Sequence, residues 1–234
     1  MQRVIRYIDR ATDTVLILFF LLLFLIGAYT MYDTILIYDL AGGADLSNFK
    51  PLISDVKNGG WDMSAISDDA VAWLTVDNTS IDYPVMQGRN NNEYLNKDPF
   101  GEYSLAGSIF LDSRNAPDFS DPYSLIYGHH MEHGKMFGAL DAFLDKEYFD
   151  AHRTATLIVS NKVYAVKFFA CVEADASVNE IFAPNETGGT LSYVQKHALI
   201  WHKPEGERLI ALSTCKFPQT TARIVVFGVI KDEQ

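Results

Sequence analysis

Three segments of this 234-residue chain carry residue types that could act together on an acyl group. Leu212-Ser213-Thr214-Cys215 runs an apolar stretch out into a cysteine, and Tyr127-Gly128-His129-His130 follows another apolar stretch with a histidine pair. Arg223 opens a third such stretch after the short connection 216–222. A thiol with an ordinary pKa of about 8.5 is mostly protonated at neutral pH, and its thiolate is the nucleophile. An imidazole can hold that thiolate as an ion pair or hand a proton to a leaving amine. A guanidinium stays charged and offers a planar fork to a substrate carbonyl or a developing oxyanion. If the last two strands form a hairpin, Cys215 and Arg223 lie at the same end of a sheet.

Each residue also has a simpler reading. A cysteine near a strand end is often a small core residue. A His-His pair is as often a surface turn, and an arginine at a strand start is often solvated or paired with a carboxylate. Cys171 sits among Phe168, Phe169, Ala170 and Val172 and reads as inert core. His133, His152, His197 and His202 show no partner pattern. Two cysteines exclude a dense disulfide framework, and no Cys-x-x-Cys or His-x-x-x-His spacing points to zinc. No structural zinc site is expected.

The elements that must position these residues are mostly short strands. From Ala70 onward, β-forming runs cover 71–76, 81–86, 108–111, 124–127, 155–159, 163–172, 208–213 and 224–230. Pro84 places its position at an edge or strand end. About eight strands at this spacing predict a mainly β fold, a closed barrel or a sandwich. Leu191, Val194, Ala198 and Trp201 repeat at helical spacing and predict a helix over 190–202. A shorter helix is expected over 137–144. Upstream, Phe49, Leu52, Ile53 and Val56 predict a short amphipathic helix before Asn58-Gly59-Gly60.

The N-terminal region is of another kind. Residues 14–32 carry no charge, and Asp13 and Asp33 bracket them. That length just suffices for a helix across a bilayer core of roughly 30 Å. Arg3, Arg6 and Arg10 precede it, so the positive-inside rule keeps the N-terminus cytoplasmic and exports the rest. The apolar run exceeds the h-region of a cleaved signal peptide, and no Ala-x-Ala site follows, which favours an uncleaved anchor. The expected division is a cytoplasmic 1–13, a membrane anchor 14–32, a helical linker 33–68 and a catalytic domain 69–234. The formal net charge of -11 gives no basic face for nucleic acid.

At these residues the chain resembles the sortases, whose hallmark is Thr-Leu-x-Thr-Cys. Here it stands as Ala211-Leu212-Ser213-Thr214-Cys215, with alanine in place of the first threonine. The family arginine follows the cysteine within about a dozen residues, which fits Arg223. The family histidine follows a glycine after a strand, which fits His129 rather than His130. The resemblance runs from about Asp69 to Lys231 and is similar to class B. It includes Trp73-Leu74, Asn78-Thr79-Ser80-Ile81-Asp82-Tyr83-Pro84-Val85, Ala106-Gly107-Ser108-Ile109-Phe110-Leu111-Asp112 and Gly134-Lys135-Met136-Phe137. The helical stretch near 190–201 matches the insert that class B carries before its seventh strand.

The resemblance implies an eight-stranded sortase β-barrel with N-terminal helices and that insert. It implies a cysteine transpeptidase that cleaves a C-terminal sorting motif of secreted proteins, of an Asn-Pro-x-Thr or related type. The acyl group then passes to an amine of a peptidoglycan precursor or a pilin. Cys215 would be the nucleophile, His129 the acid and base, and Arg223 the group that positions the carbonyl. Ser213 and Thr214 would line the substrate groove, and the resemblance implies neither a metal nor an organic cofactor. Some class B enzymes carry an acidic residue two positions after the cysteine; Phe217 stands there, so no third carboxylate is invoked. Another extracellular cysteine peptidase and a non-catalytic, membrane-tethered binding domain are the competing readings. Papain-like enzymes place cysteine before histidine, whereas the order here is His, Cys, Arg; an unreactive Cys215 would favour the binding domain.

Overall fold

The structure is a computed structural model, and it describes residues 2–41, 44–59, 62–184, 189–215 and 221–232. The chain divides into two compact units, 1–39 and 40–234. The first holds most of helix α1 (Gln2–Ala41), which extends past the charge-free stretch through Ile35 and Tyr38. At 1.5 Å per residue its 40 residues reach about 60 Å, well beyond a bilayer core. The segment Ile5–Ile35 is long and apolar enough to cross a membrane. The hydroxyls of Thr14, Thr30 and Thr34 donate to carbonyls one turn back, so they present no unpaired donor in this apolar stretch.

The second unit is built on nine strands: β1 (Ala70–Val76), β2 (Asp82–Met86), β3 (Ile109–Leu111), β4 (Tyr123–Gly128), β5 (Thr154–Val159), β6 (Lys162–Asp175), β7 (Ile200–Trp201), β8 (Leu209–Cys215) and β9 (Ala222–Asp232). They run in the order β5-β1-β2-β3-β4-β8-β9-β6, and β5 pairs with β6, which closes an eight-stranded barrel. The pairs β2–β3 and β4–β8 are parallel and the others antiparallel. All eight strands expected from the sequence are present. The two-residue β7 is an addition: it pairs with Ala170 and Cys171, beyond the part of β6 that β5 uses. Pro84 pairs with Trp73 on one side, while the β3 pairing starts only at Val85, so locally it sits at an edge.

Two apolar clusters explain why β6, β8 and β9 are hydrophobic on both faces. Ile210, Leu212, Ile224 and Val226 point into the barrel core. The alternate residues Ala211, Val225, Phe227 and Val229 join a second cluster outside it, with Ile181 and Val194. That outer cluster is covered by α4 (Asn179–Phe182) and α5 (Thr190–His197). The helix expected over 190–202 therefore ends early. Ala198 has already turned extended, and Ile200–Trp201 is taken into the sheet as β7. Ladder bonds to Cys171 and Phe169 replace the helical turn that the apolar spacing suggested.

Among the described residues, three short helices precede the barrel, 3-10 helices over Ala44–Phe49 and Met63–Ala65 and, between them, α2 (Ile53–Lys57). Pro51 separates the first of these from α2, so the expected amphipathic helix is shorter than its spacing implied. Of its four apolar residues, only Val56 is fully buried, and Leu52 and Ile53 are exposed. Val56 joins the barrel core, where burial of such a side chain stabilises by roughly 1.5–3 kcal/mol. The 137–144 helix is a 3-10 helix, Phe137–Leu144, with Phe137, Leu140 and Phe143 buried. It leads into α3 (Lys146–Ala151), which Asp145 caps through the Tyr148 amide.

Candidate active site

Three neighbouring strands end at one level of the barrel. β4 and β8 run parallel, with Tyr127 opposite Ser213 and Gly128 opposite Thr214. The next residues along the two chains are His129 and Cys215. β9 lies on the other side of β8 and pairs Arg223 directly with Cys215. With strands roughly 4.8 Å apart, this register gathers the three backbones across two ladder spacings. The Cys215 side chain and residues 216–220 lie outside the described residues. His129, Arg223, Ser213 and Thr214 line one open cleft of about 360 Å³.

His129 is held by loops rather than by a ladder. Its Nε2 lies 2.7 Å from the Leu95 carbonyl oxygen. A carbonyl only accepts, so Nε2 carries a hydrogen, and the neutral ring keeps its lone pair at Nδ1. Leu95 closes the 3-10 helix Glu93–Leu95, and Gly107 (φ 60°) lets the returning chain pass against that carbonyl. A β-carbon on Gly107 would stand 2.5 Å from the Leu95 oxygen. Gly128 serves close packing rather than a turn. Its φ is not positive; it is needed because a β-carbon would collide with Ile109 and Phe137. The reversal comes later, at His133, Gly134 and Met136, all with positive φ. The Phe137 amide then returns to the His129 carbonyl at 3.0 Å, and the Tyr83 hydroxyl accepts from the Met136 amide.

His130 points elsewhere: its Nε2 meets the exposed carboxylate of Asp141 at 2.7 Å. Of the two histidines, His129 alone lines the cleft. The Ser213 hydroxyl is fully buried with no hydrogen-bond partner among the described residues, although its residue lines the cleft. Thr214, also buried, forms the adjoining wall. Cys171 contrasts with this region. It is 0% exposed, and burial, helped by the Glu173 charge, pushes its thiol up to about 12. Its expected place in the core is what the structure has.

The charge network beneath the cleft has no counterpart in the sequence reading. Asp112 follows β3 and is completely buried. Arg114 grips it with a two-pronged fork, Nε to Oδ1 at 2.9 Å and Nη2 to Oδ2 at 2.8 Å. The Asn91 amide and the Tyr127 hydroxyl also donate to its carboxylate. Burial by itself would raise the Asp112 pKa, but the Arg114 side chain and amide and the Asn91 amide outweigh it and hold the carboxyl below its ordinary value. Burial and the same charge push the Tyr127 phenol upward, so it remains a donor. Asp112 was visible only as part of a motif. The available signal was two opposite charges two residues apart, directly after a fully apolar strand. Phe182, which also lines the cleft, lies on a helix that no periodicity announced.

A family model described as the sortase domain matches residues 74–231, about two thirds of the chain. Sortase B of Listeria monocytogenes is 37% identical over 161 residues, covering 66% of this chain and 65% of the relative, so the match spans just under two thirds of that protein's length. A Streptococcus pyogenes class B sortase involved in pilus biogenesis superposes with a TM-score of 0.66 at 40% identity, covering 73% of this chain and 96% of that one. A Staphylococcus aureus sortase B–substrate complex gives 0.67 at 29% identity, covering 74% and 84%. With the barrel, the strand-end register and these similarities together, the chain belongs to the sortase family and resembles its class B members.

Proposed function

We propose that this protein is a membrane-anchored cysteine transpeptidase that acts on secreted proteins bearing a C-terminal sorting motif. The observation that supports the reading is the register of β4, β8 and β9, which brings the backbones of His129, Cys215 and Arg223 to neighbouring strand ends, with His129 and Arg223 lining one cleft. In the first step the Cys215 thiolate attacks the carbonyl carbon at the scissile bond. Arg223 steadies the developing oxyanion, and the imidazolium of His129 gives its Nδ1 proton to the leaving amine as the C–N bond breaks. A thioester and a free amine result. In the second step an acceptor amine attacks the thioester, His129 takes the amine proton at Nδ1, and the thiolate leaves. The Leu95 carbonyl holds Nε2–H throughout, so the ring can trade protons at one nitrogen without turning. Ser213 and Thr214 form part of the wall against which the peptide lies.

The acceptor is an amine of a peptidoglycan precursor or a pilin lysine. The pilus role of the Streptococcus pyogenes relative supports the second. Residues 14–32 of α1 anchor the chain, 1–13 lie in the cytoplasm, 33–68 connect, and 69–234 form the extracellular catalytic domain. The three arginines at the N-terminal end support that direction. The test uses full-length protein in detergent with a peptide library of Asn-Pro-x-Thr sequences, read by mass with and without added triglycine or lysine. Amine-dependent transfer products are expected, with a thioester mass adduct on Cys215. Cys215→Ala should lower turnover at least a thousandfold; undiminished turnover in that variant ends the reading.

A further inference from the structure

One wall of the cleft is a helix that cannot stand by itself. α4 has four residues, far below the length at which a helix holds in water. Its carbonyls are the groups a helix end leaves unpaired. Three consecutive ones are taken up by side chains from elsewhere: Thr190 Oγ1 donates to the Glu180 oxygen at 2.6 Å, the Tyr123 hydroxyl to Ile181 at 3.0 Å and Arg114 Nη2 to Phe182 at 2.5 Å. Thr190 belongs to α5, beyond the barrel, and Tyr123 is buried in β4. Of these three donors, only Arg114 both lines the cleft and holds the carbonyl of another cleft-lining residue, Phe182.

The strength of that hold comes from beneath. The Arg114 fork is fixed on the buried Asp112, whose carboxylate also accepts from the Arg114 amide at Oδ1 and from Asn91 and Tyr127 at Oδ2. Charge-assisted, two-pronged contacts of this kind are the stronger class of hydrogen bond and fix orientation. Asn91 and Tyr127 line the cleft as well. Asn91, Tyr127, Arg114 and Phe182, all lining the cleft, are thus tied together through one carboxylate and one guanidinium.

We propose that Arg114 is a positioning residue that sets the width of the cleft by locking α4 to the Asp112 network, and so determines how tightly the sorting peptide binds. This rests on the transpeptidase reading. A lysine could reach toward Asp112 or toward Phe182 but, as a single point donor, could not serve both in a fixed plane. Loss of the fork frees the Phe182 carbonyl and lets α4 fray, while Cys215, Arg223 and His129 keep their own supports. The penalty therefore falls on peptide capture before it falls on bond cleavage.

The experiment compares wild type, Arg114→Lys and Arg114→Met in the full-length protein. Steady-state kinetics use the Asn-Pro-x-Thr library, amide hydrogen exchange is followed by mass without peptide, and iodoacetamide reports the reactivity of Cys215. Arg114→Met should raise KM tenfold or more, with a smaller fall in kcat. Exchange over 179–184 should quicken at least tenfold while the strands and the alkylation rate stay as in wild type. Arg114→Lys should fall between the two. A drop confined to kcat, or unaltered exchange over 179–184, overturns the proposal. If Arg114→Met does not fold, Arg114→Lys decides: wild-type KM and exchange in that variant overturn it too. Should the wild-type enzyme cleave no library peptide, the functional reading fails, whereas the exchange result still judges the lock on α4.

Discussion

The two cysteines flank the same strand yet belong to different chemistries. Cys171 on β6 pairs with Val226 of β9, and Cys215 on β8 pairs with Arg223 of the same strand. Three residues of β9 separate the two positions, roughly 10 Å at the rise of a strand. At Val226 the sheet is covered on both faces, by the barrel core and by the outer cluster. At Arg223 the ladder is ending and polar cleft-lining residues take over. What a thiol can do here is set by how far along the strand it sits. Mid-strand, burial holds Cys171 neutral; at the strand end, a cation is built in as the cross-strand neighbour.

The sharpest way to break this contrast is at the histidines, which are adjacent in sequence. His129 lines the cleft, whereas His130 turns to Asp141 on the surface. His129→Ala should lower kcat/KM at least a thousandfold, and His130→Ala by less than about threefold, since an exposed ion pair contributes roughly 0–1 kcal/mol. The opposite ranking would mean that the loop, and not the strand-end register, selects the catalytic ring.

The next effect is smaller and tests how the strand-end region is held. Gly138 has no room for a side chain, because a β-carbon there would collide with the Met131 carbonyl. Met131 and Gly138 bracket the loop that returns to the His129 carbonyl through the Phe137 amide. Gly138→Ala must move backbone, so it should destabilise by about 2 kcal/mol or more and lower activity at least tenfold. Urea unfolding and peptide turnover measure both. Wild-type values for each would show that this loop does not govern His129.

The strands were legible because each alternates or runs apolar between turn residues, and the barrel needs only that pattern. Their pairing was not, since β2–β3 and β4–β8 join in parallel across long connections that no local signal encodes. His129, Cys215 and Arg223 could be chosen because each sits where an apolar run meets a break. Arg114 and Asp112 could not be given roles, because their meaning lies in a partner 68 residues away, the Phe182 carbonyl. The same cause explains the overlong helix. Ala198 and Trp201 fit a helical face, yet a free ladder edge at Ala170 and Cys171 captured Ile200 and Trp201 instead.

The smallest effect concerns the thiol left out of the chemistry. Cys171→Ala removes a small buried side chain and should destabilise by about 1 kcal/mol at pH 7, with turnover within twofold of wild type. Its pH dependence carries more information. The folded thiol is pushed up to about 12, above an unfolded value of about 8.5. The folded state therefore holds the proton that the unfolded state gives up. Wild-type stability is unaffected by this group below about pH 8.5 and falls as pH rises toward 12. By pH 10 the loss reaches roughly 2 kcal/mol, because each unit beyond the unfolded pKa contributes about 1.4 kcal/mol. Cys171→Ala lacks this loss, so the two unfolding midpoints should cross between pH 7 and pH 10. A constant gap across that range would mean that Cys171 ionises in the native barrel, and that depth along the strand does not separate the two thiols.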